Sequence, residues 1–320
     1  MTKEERLERR AEQNKKRIWE LDLLRALVII GMLIDHLLKD FSEMFPALFN
    51  SDKYFSYSFL ANMRDFGYEY GLNPTRVVFR FVGVIVLILL IGISSQFSKS
   101  NIKRALLLLG FGIVISCFTI LGHHLAAMNY ILIGAVMCFG LCLLIYCGVH
   151  AIFARFEKAW KWICLGTGLT ILLGWLIVRS LIMRGEIESQ YNNLFMVYHG
   201  YYRSIPYIGD IKDLNFGKFI EVLLGVTYFG ADYIGIFPYL GYLFIGAFIG
   251  QTVYKDKKSL LHYFDKDEEH TLNELFNRKT SVLLFFGRKS MWFYVFHQPV
   301  YTLLMLFIGA VILSIPLSFI

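Results

Sequence analysis

The chain has 320 residues, of which 56% are apolar, 17% are aromatic and only 18% are charged, and its net charge is +7. This composition, with a mean hydropathy of +0.52, excludes an ordinary soluble domain and favours a polytopic membrane protein. The basic residues lie at the ends of apolar runs and not in one patch, so the positive charge does not indicate a nucleic-acid-binding protein.

The N-terminal residues 1–16 are charged and lack apolar periodicity, which predicts a cytoplasmic tail, and residues 17–320 predict one transmembrane domain. The first apolar segment has no small-residue cleavage site, so we expect no cleavable signal peptide. Five cysteines lie in apolar stretches without a CxxC pair and predict small buried side chains.

Apolar runs bounded by basic turns predict an all-α transmembrane helix bundle of about seven spans, with six to eight as the range. Segments 39–75 and 183–216 are predicted as outer loops, and 217–229 as an interfacial or re-entrant helix because it is too short to cross. The basic ends predict a multi-pass protein of the cell membrane with a cytoplasmic N-terminus and an outer C-terminus. The predicted spans are 18–38, 76–97, 105–122, 129–149, 160–182, 232–254 and 290–313.

The first span, RIWELDLLRALVIIGMLIDHLLKDF, carries ionisable groups that are costly inside a bilayer and therefore indicate function. Helical geometry puts Arg25 and His36 on one face, about 16 Å apart along the axis. Asp22 precedes Arg25 by three residues and predicts an ion pair. Asp40 lies one turn beyond His36 and predicts a carboxylate that orients its ring, whereas Asp35 falls off this face and is left out of the predicted site. Purely structural ion pairs between helices are the alternative.

Later charged positions are candidates for a binding site. Arg76 and Arg80 lie one turn apart at the start of the second span and could pair with Asp40 or bind an anionic or sugar acceptor, with snorkelling to the headgroups as the alternative. Asp232 opens the sixth span, in which Pro238 predicts a kink beside a cavity, with a simple marker of the span's start as the alternative.

The remaining candidates belong to the last span and to the inner turns. His297 lies near mid-membrane, just before Pro299, and could be catalytic or could make a structural hydrogen bond between helices. Arg104, Arg288 and Lys289 could meet phosphate groups from the cytoplasm, or could simply follow the positive-inside rule.

Other reaction classes lack their motifs. The chain has neither HExxH nor GxSxG, so neither a zinc protease of that type nor an α/β-hydrolase is indicated. The adjacent His123 and His124 would diverge by about 100° on a helix, and no metal site is predicted.

Four stretches resemble one family. The first span resembles the first-span signature of the bacterial heparan-alpha-glucosaminide N-acetyltransferase-like membrane proteins. The stretches FRFVGVIVLILLIGISSQFSKSNIKRALLL, DYIGIFPYLGYLFIGAFIGQTVY and FFGRKSMWFYVFHQPVY are similar to that family too. The arginine followed eleven residues later by histidine, here Arg25 and His36, also resembles acyltransferase family 3.

The resemblance implies transfer of an acyl group, usually acetyl, from cytoplasmic acyl-CoA to a glycan or similar hydroxyl or amine acceptor at the outer face. We expect His36 to be the general base, Asp40 to orient it, and His297 to offer an alternative site for an acyl-imidazole intermediate. The expected partners are membrane lipids, acetyl-CoA and the acceptor, with a homo-oligomer as an option. The donor is expected near Arg25, Arg104, Arg288 and Lys289, and the acceptor near Asp22, Arg76, Arg80 and Asp232.

Two other functions fit the same charged residues of the predicted spans. A membrane transporter or a lipid- or solute-binding protein also lines its path with charged groups and broken helices. A partner subunit that only holds a CoA-like ligand is the third possibility.

Overall fold

A computed structural model of the chain describes residues 17–49, 57–126, 130–153, 155–182, 194–201, 205–208, 211–260, 276 and 280–315. The predicted tail 1–16 lies outside the described residues, as does most of the inner loop 255–280. The helices are α1 (Trp19–Ser42), α2 (Met44–Leu48), α3 (Ser58–Leu72), α4 (Pro74–Ser95), α5 (Asn101–Ala126), α6 (Ala135–Phe153), α7 (Glu157–Ile182), α8 (Leu194–His199), α9 (Phe216–Leu224), α10 (Tyr239–Thr252), α11 (Ser281–Arg288) and α12 (Ser290–Leu306), which continues as a π-helical turn over Phe307–Ile312.

Five helices in the described part of the chain are long and apolar enough to cross a membrane: α4, α5, α6, α7 and α12 with its π-helical turn. They match five of the predicted spans. The helix predicted at 18–38 is present as α1. Its ends carry too many charged residues for it to count among these five apolar helices. The described structure therefore confirms a helical membrane bundle, and the count of seven spans stays a prediction.

The prediction of an outer loop over 39–75 is wrong in part. Helix α1 continues to Ser42, and two further helices, α2 and the 15-residue α3, lie within the segment. Apolar residues recur in α3 at helical spacing, at Phe59, Met63, Phe66 and Tyr70, and the aromatic content of the segment hid this period.

The sixth predicted span also differs from expectation, because its first residues are not helical. Gly230 and Asp232 have φ angles of 79° and 48°, and α10 begins only at Tyr239. Pro238 therefore precedes the helix and does not kink it. A proline at this position removes no hydrogen bond from the helix. The consequence is an irregular segment, residues 230–238, that carries Asp232.

The segment predicted as too short to cross contains α9, which has nine residues and is about 13 Å long. It lies in the chain between two short parallel strands, β1 (Tyr207–Ile208) and β2 (Tyr228–Phe229), in which Tyr207 pairs with Tyr228. Its interfacial or re-entrant position stays a prediction.

Helix α10 is the best-buried long helix and packs against α4, α6 and α7. Glycines allow its backbone to approach α4 closely. A Cβ on Gly92 would lie 2.8 Å from the backbone nitrogen of Ala247, and one on Gly250 would lie 2.7 Å from the carbonyl oxygen of Ile93. Small residues at such crossings are typical of membrane helix pairs.

We expect Gly92→Ala to lower the thermal stability of the detergent-solubilised protein, because the new methyl group would collide with backbone atoms of α10. Overpacking of this kind costs about 1–3 kcal/mol. Gly110→Ala is the matched control, since a Cβ there meets nothing within 4 Å. A melting temperature that is equal in the two variants would contradict the close α4–α10 crossing.

The second group of helices surrounds α1, which contacts α3, α4, α11 and α12. Helix α4 thus contacts both α1 and α10. Large apolar side chains point away from the bundle along its long helices, as at Phe79, Val114, Leu173 and Leu303. A soluble protein buries most such side chains, whereas here they lie on the outer surface of the bundle. This apolar surface fits a lipid environment.

Candidate active site

A cavity of about 580 Å³ lies between α1 and α4 and is bordered by Asp232 and Ile234 of the irregular segment. Its polar side chains cluster near the end of α1 and the start of α4. The ionisable groups and the tyrosine at that end are Asp35, His36, Tyr70, Arg76, Arg80 and Asp232. A pocket with mostly apolar walls and a few convergent polar groups is the usual form of a small-molecule site.

His36 is held at both ring nitrogens. Its Nδ1 lies 3.0 Å from the carbonyl oxygen of Met32, and its Nε2 lies 3.3 Å from Oδ2 of Asp232. Both neighbours are hydrogen-bond acceptors, so this arrangement is fully satisfied when the ring donates from both nitrogens. A carboxylate beside an imidazole in a cavity is the arrangement that general acid–base chemistry needs.

The predicted partner of His36 was Asp40, and the structure contradicts that pairing. Helical side chains lean toward the N-terminus of their helix, so the His36 ring turns toward Met32 and away from Asp40. Asp40 is buried and instead accepts two hydrogen bonds, of 3.0 and 2.9 Å, from Nε2 of Gln298 on α12. The carboxylate that hydrogen-bonds the ring is Asp232, which is 196 residues away in the sequence, and Oδ2 of Asp35 lies 3.8 Å from Nδ1.

Leaving Asp35 out of the site was wrong as well, because this residue lines the cavity. It accepts hydrogen bonds of 2.6 and 2.8 Å from Arg76 and one of 3.0 Å from the Tyr70 hydroxyl. Arg76 therefore pairs with Asp35 and not with Asp40, the partner considered from the sequence. Arg80 lies one turn deeper, with Nη2 3.6 Å from Oδ1 of Asp232.

His297 meets His36 inside the bundle, as its predicted depth would allow. The two rings lie edge to face with their centroids 4.8 Å apart. Nδ1 of His297 lies 2.7 Å from the carbonyl oxygen of Tyr294, whereas its buried Nε2 has no hydrogen-bond partner among the described residues. Helix α12 thus supplies a second imidazole next to the candidate base.

A third buried histidine, His199, belongs to the segment predicted as an outer loop but lies in α8, among aromatic rings. Nδ1 lies 2.8 Å from the carbonyl oxygen of Phe195, and Nε2 lies 3.2 Å from the Tyr242 hydroxyl. Burial lowers the pKa of His199 to about 4, so its ring is neutral at physiological pH. It does not line the cavity.

The predicted donor residues lie at the other end of α1, which we call the basic end, defined by Arg17, Arg25, Arg104 and Arg288. Asp22 bonds Arg17 at 2.6 Å and Arg25 at 2.9 Å, which confirms the predicted Asp22–Arg25 ion pair. Nε of Arg288 lies 3.5 Å from the same carboxylate. Asp22 thus lies among arginines and outside the cavity, and its predicted acceptor contact stays a prediction.

Arg104 joins this group through Ser94. Arg25 donates to the Ser94 hydroxyl, and Nη1 of Arg104 lies 3.4 Å from the Ser94 carbonyl oxygen. Lys289 follows Arg288 directly and is exposed. Three of the four predicted donor residues therefore converge within the structure, and Lys289 lies at the surface beside them.

Sequence reasoning left several polar residues out of the predicted site. Tyr70 and Tyr294 line the cavity, and Gln298 satisfies Asp40. Gln298 follows His297 directly in a helix that is otherwise apolar, and this was the one available signal. The two tyrosines stood in aromatic segments whose pattern also fits membrane anchors.

The catalytic-domain family of heparan-alpha-glucosaminide N-acetyltransferase matches this chain over residues 17–299. The chain belongs to this family. The matched segment contains both ends of α1, the cavity and every predicted site residue. Comparison with curated proteins and with solved structures gave no match.

Membership in the heparan-alpha-glucosaminide N-acetyltransferase family implies a membrane acetyltransferase, and the apolar helices of the bundle agree with a multi-pass protein. The further relation to acyltransferase family 3 stays a prediction. In this chain, the contact between His36 and Asp232 borders the cavity.

Proposed function

We propose that this chain transfers an acetyl group from acetyl-CoA to a hydroxyl or amine acceptor, with His36 as the general base. The observation that carries the proposal is the contact of 3.3 Å between His36 and Asp232 at the edge of a cavity, in a chain that belongs to an acetyltransferase family. A positioned histidine of this kind typically contributes about 10²–10⁴ to the rate.

The chemistry follows from the two contacts of the ring. In the neutral form, His36 donates from Nδ1 to the Met32 carbonyl and presents the Nε2 lone pair to the acceptor. Nε2 removes the acceptor proton as the acceptor oxygen or nitrogen bonds to the acetyl carbon. The imidazolium that forms donates from Nδ1 to the Met32 carbonyl and from Nε2 to Asp232, so both observed contacts are then hydrogen bonds. His36 returns the proton to the departing sulfur as the carbon–sulfur bond breaks, so a thiol leaves and the ring is neutral again.

The donor supplies an acetyl group activated as a thioester. During transfer, the carbonyl oxygen of this thioester carries a transient negative charge. Arg80 is the proposed group that stabilises this charge, since its guanidinium faces the cavity near Asp232 and is only partly neutralised at 3.6 Å. Arg76, held by two hydrogen bonds to Asp35, keeps the cavity wall in position. Asp40 has a supporting role in this scheme, because it ties α1 to Gln298 of α12.

The basic end suits the phosphates of the donor. Guanidinium groups bind phosphate well, and Arg25 and Arg104 meet there around Ser94. Arg25 and His36 are separated by about 16 Å along α1, comparable with an extended pantetheine arm on the order of 15–20 Å. We propose that the donor enters from the cytoplasm at this end, that the acceptor binds at the opposite end, and that transfer is direct.

Removing the charge of Arg104 tests the donor site. We expect Arg104→Gln to raise KM for acetyl-CoA at least about tenfold, since a lost charged hydrogen bond to phosphate costs about 1.5–3 kcal/mol. With acetyl-pantetheine, which has no phosphates, the variant should match the parent protein. Lys99→Gln removes an exposed charge elsewhere at the same end and serves as the control. Equal losses with both donors would show that Arg104 acts on the fold and not on phosphate.

A further inference from the structure

The cavity beside His36 is not closed toward the side of the bundle, and this bears on the acceptor. We propose that the acceptor is an amphipathic lipid, whose hydrocarbon chain lies in the groove between α1 and α4 and whose hydroxyl or amine headgroup meets His36. This inference rests on the proposed acetyl transfer and names the substrate class of the same site.

The lining of the groove is segregated along the helices. The charged groups lie at the end of α1, and the wall toward the basic end is formed by apolar side chains such as Leu27, Val28, Val86 and Leu87. From Arg76 to Leu87 the rise along α4 is about 16 Å. One leaflet of the hydrocarbon core is about 15 Å thick, so the apolar part of the groove matches the depth of a lipid chain.

The groove also faces the lipid. Leu27 is 54% exposed, Phe79 71% and Val82 41%, and all three line the cavity. Gly31 adds open space, since a Cβ on it would meet nothing within 4 Å. A lipid chain could enter through this lateral opening without leaving the membrane.

The charge of the polar end indicates the kind of headgroup. Among the described residues that line the cavity, two carboxylates, Asp35 and Asp232, face two guanidinium groups, Arg76 and Arg80. This balance favours a neutral or singly charged headgroup, such as an amino sugar, that offers hydroxyl or amine groups to His36. A strongly anionic headgroup would need a surplus of positive charge.

Photo-crosslinking tests the groove without any turnover. The probe is an alkyl glucosaminide with a diazirine at mid-chain, added to the full-length protein in phosphatidylcholine vesicles. We expect the label on peptides that contain Leu27 and Phe79, and we expect Gly31→Leu to reduce it at least fivefold because the new side chain fills the groove. Gly110→Leu is the matched control, an exposed glycine of α5 with the same open space. Label that is spread over all lipid-facing helices, or that Gly31→Leu leaves unchanged, would overturn the proposal.

Turnover with the same headgroup separates this inference from the proposed function. We expect labelled acetyl-CoA to acetylate the alkyl glucosaminide at least tenfold more efficiently than free glucosamine, and Gly31→Leu to remove that advantage. Equal use of both acceptors, unchanged in Gly31→Leu, would refute the lipid acceptor and leave acetyl transfer standing. Groove labelling without acetylation of either acceptor would support the lipid site and count against the proposed transfer.

Discussion

Replacing His36 with alanine is expected to lower kcat/KM for acetyl transfer by about 10²–10⁴. The imidazole is the proposed proton acceptor, and its ring borders the cavity with Nε2 3.3 Å from Asp232. The measurement is transfer of labelled acetyl from acetyl-CoA in vesicles, with the melting temperature recorded for each variant. Loss of transfer in a protein that still melts cooperatively is the expected result.

Two further variants make this test specific. His36→Gln retains an amide that can hydrogen-bond near Asp232 but cannot carry a proton, and it should be as inactive as the alanine variant. His150→Ala removes an exposed histidine at the end of α6 and should retain full activity. Undiminished acetylation by His36→Gln would exclude a proton-transfer role for this residue.

The sequence was informative where the site is local to one helix. The spacing of Asp22 and Arg25 predicted their ion pair, and helical periodicity separated the basic end of α1 from the His36 end. The same reasoning excluded Asp35, since one helix face was taken as the whole site. The cavity is wider than one face, because α4 brings Arg76 and α3 brings Tyr70 to Asp35 from the side.

Contacts between distant segments could not be read in this way. Asp232 reaches His36 only because residues 230–238 are irregular, while the apolar composition of this segment resembles the start of a span. Gln298 contacts Asp40 across 258 residues of sequence. The direction in which a helical side chain leans was the information available for rejecting Asp40 as the orienting group. Taken with the matched family, these contacts define a candidate site in which His36 was predictable from the sequence and its contact with Asp232 was not.

The comparison of Asp232 with Asp40 distinguishes the observed partner from the expected one. We expect Asp232→Asn to lower kcat about 10–100-fold with little change in KM for acetyl-CoA, because the neutral amide stabilises the imidazolium of His36 less than a carboxylate does. Asp232→Glu should recover part of this loss, since it restores the charge.

Asp40→Asn is the matched variant, because it removes a carboxylate near the same end of α1. Its amide can still accept a hydrogen bond from Gln298, so we expect kcat to stay within about threefold of the parent value, with the effect confined to a small change in melting temperature. A loss of kcat in Asp40→Asn that equals or exceeds the loss in Asp232→Asn would return the orienting role to Asp40. A larger loss of kcat in Asp232→Asn than in Asp40→Asn, with recovery in Asp232→Glu, would establish that the charge of Asp232 supports the base. A purely structural role of Asp232 would change the melting temperature and not the ratio of kcat to KM.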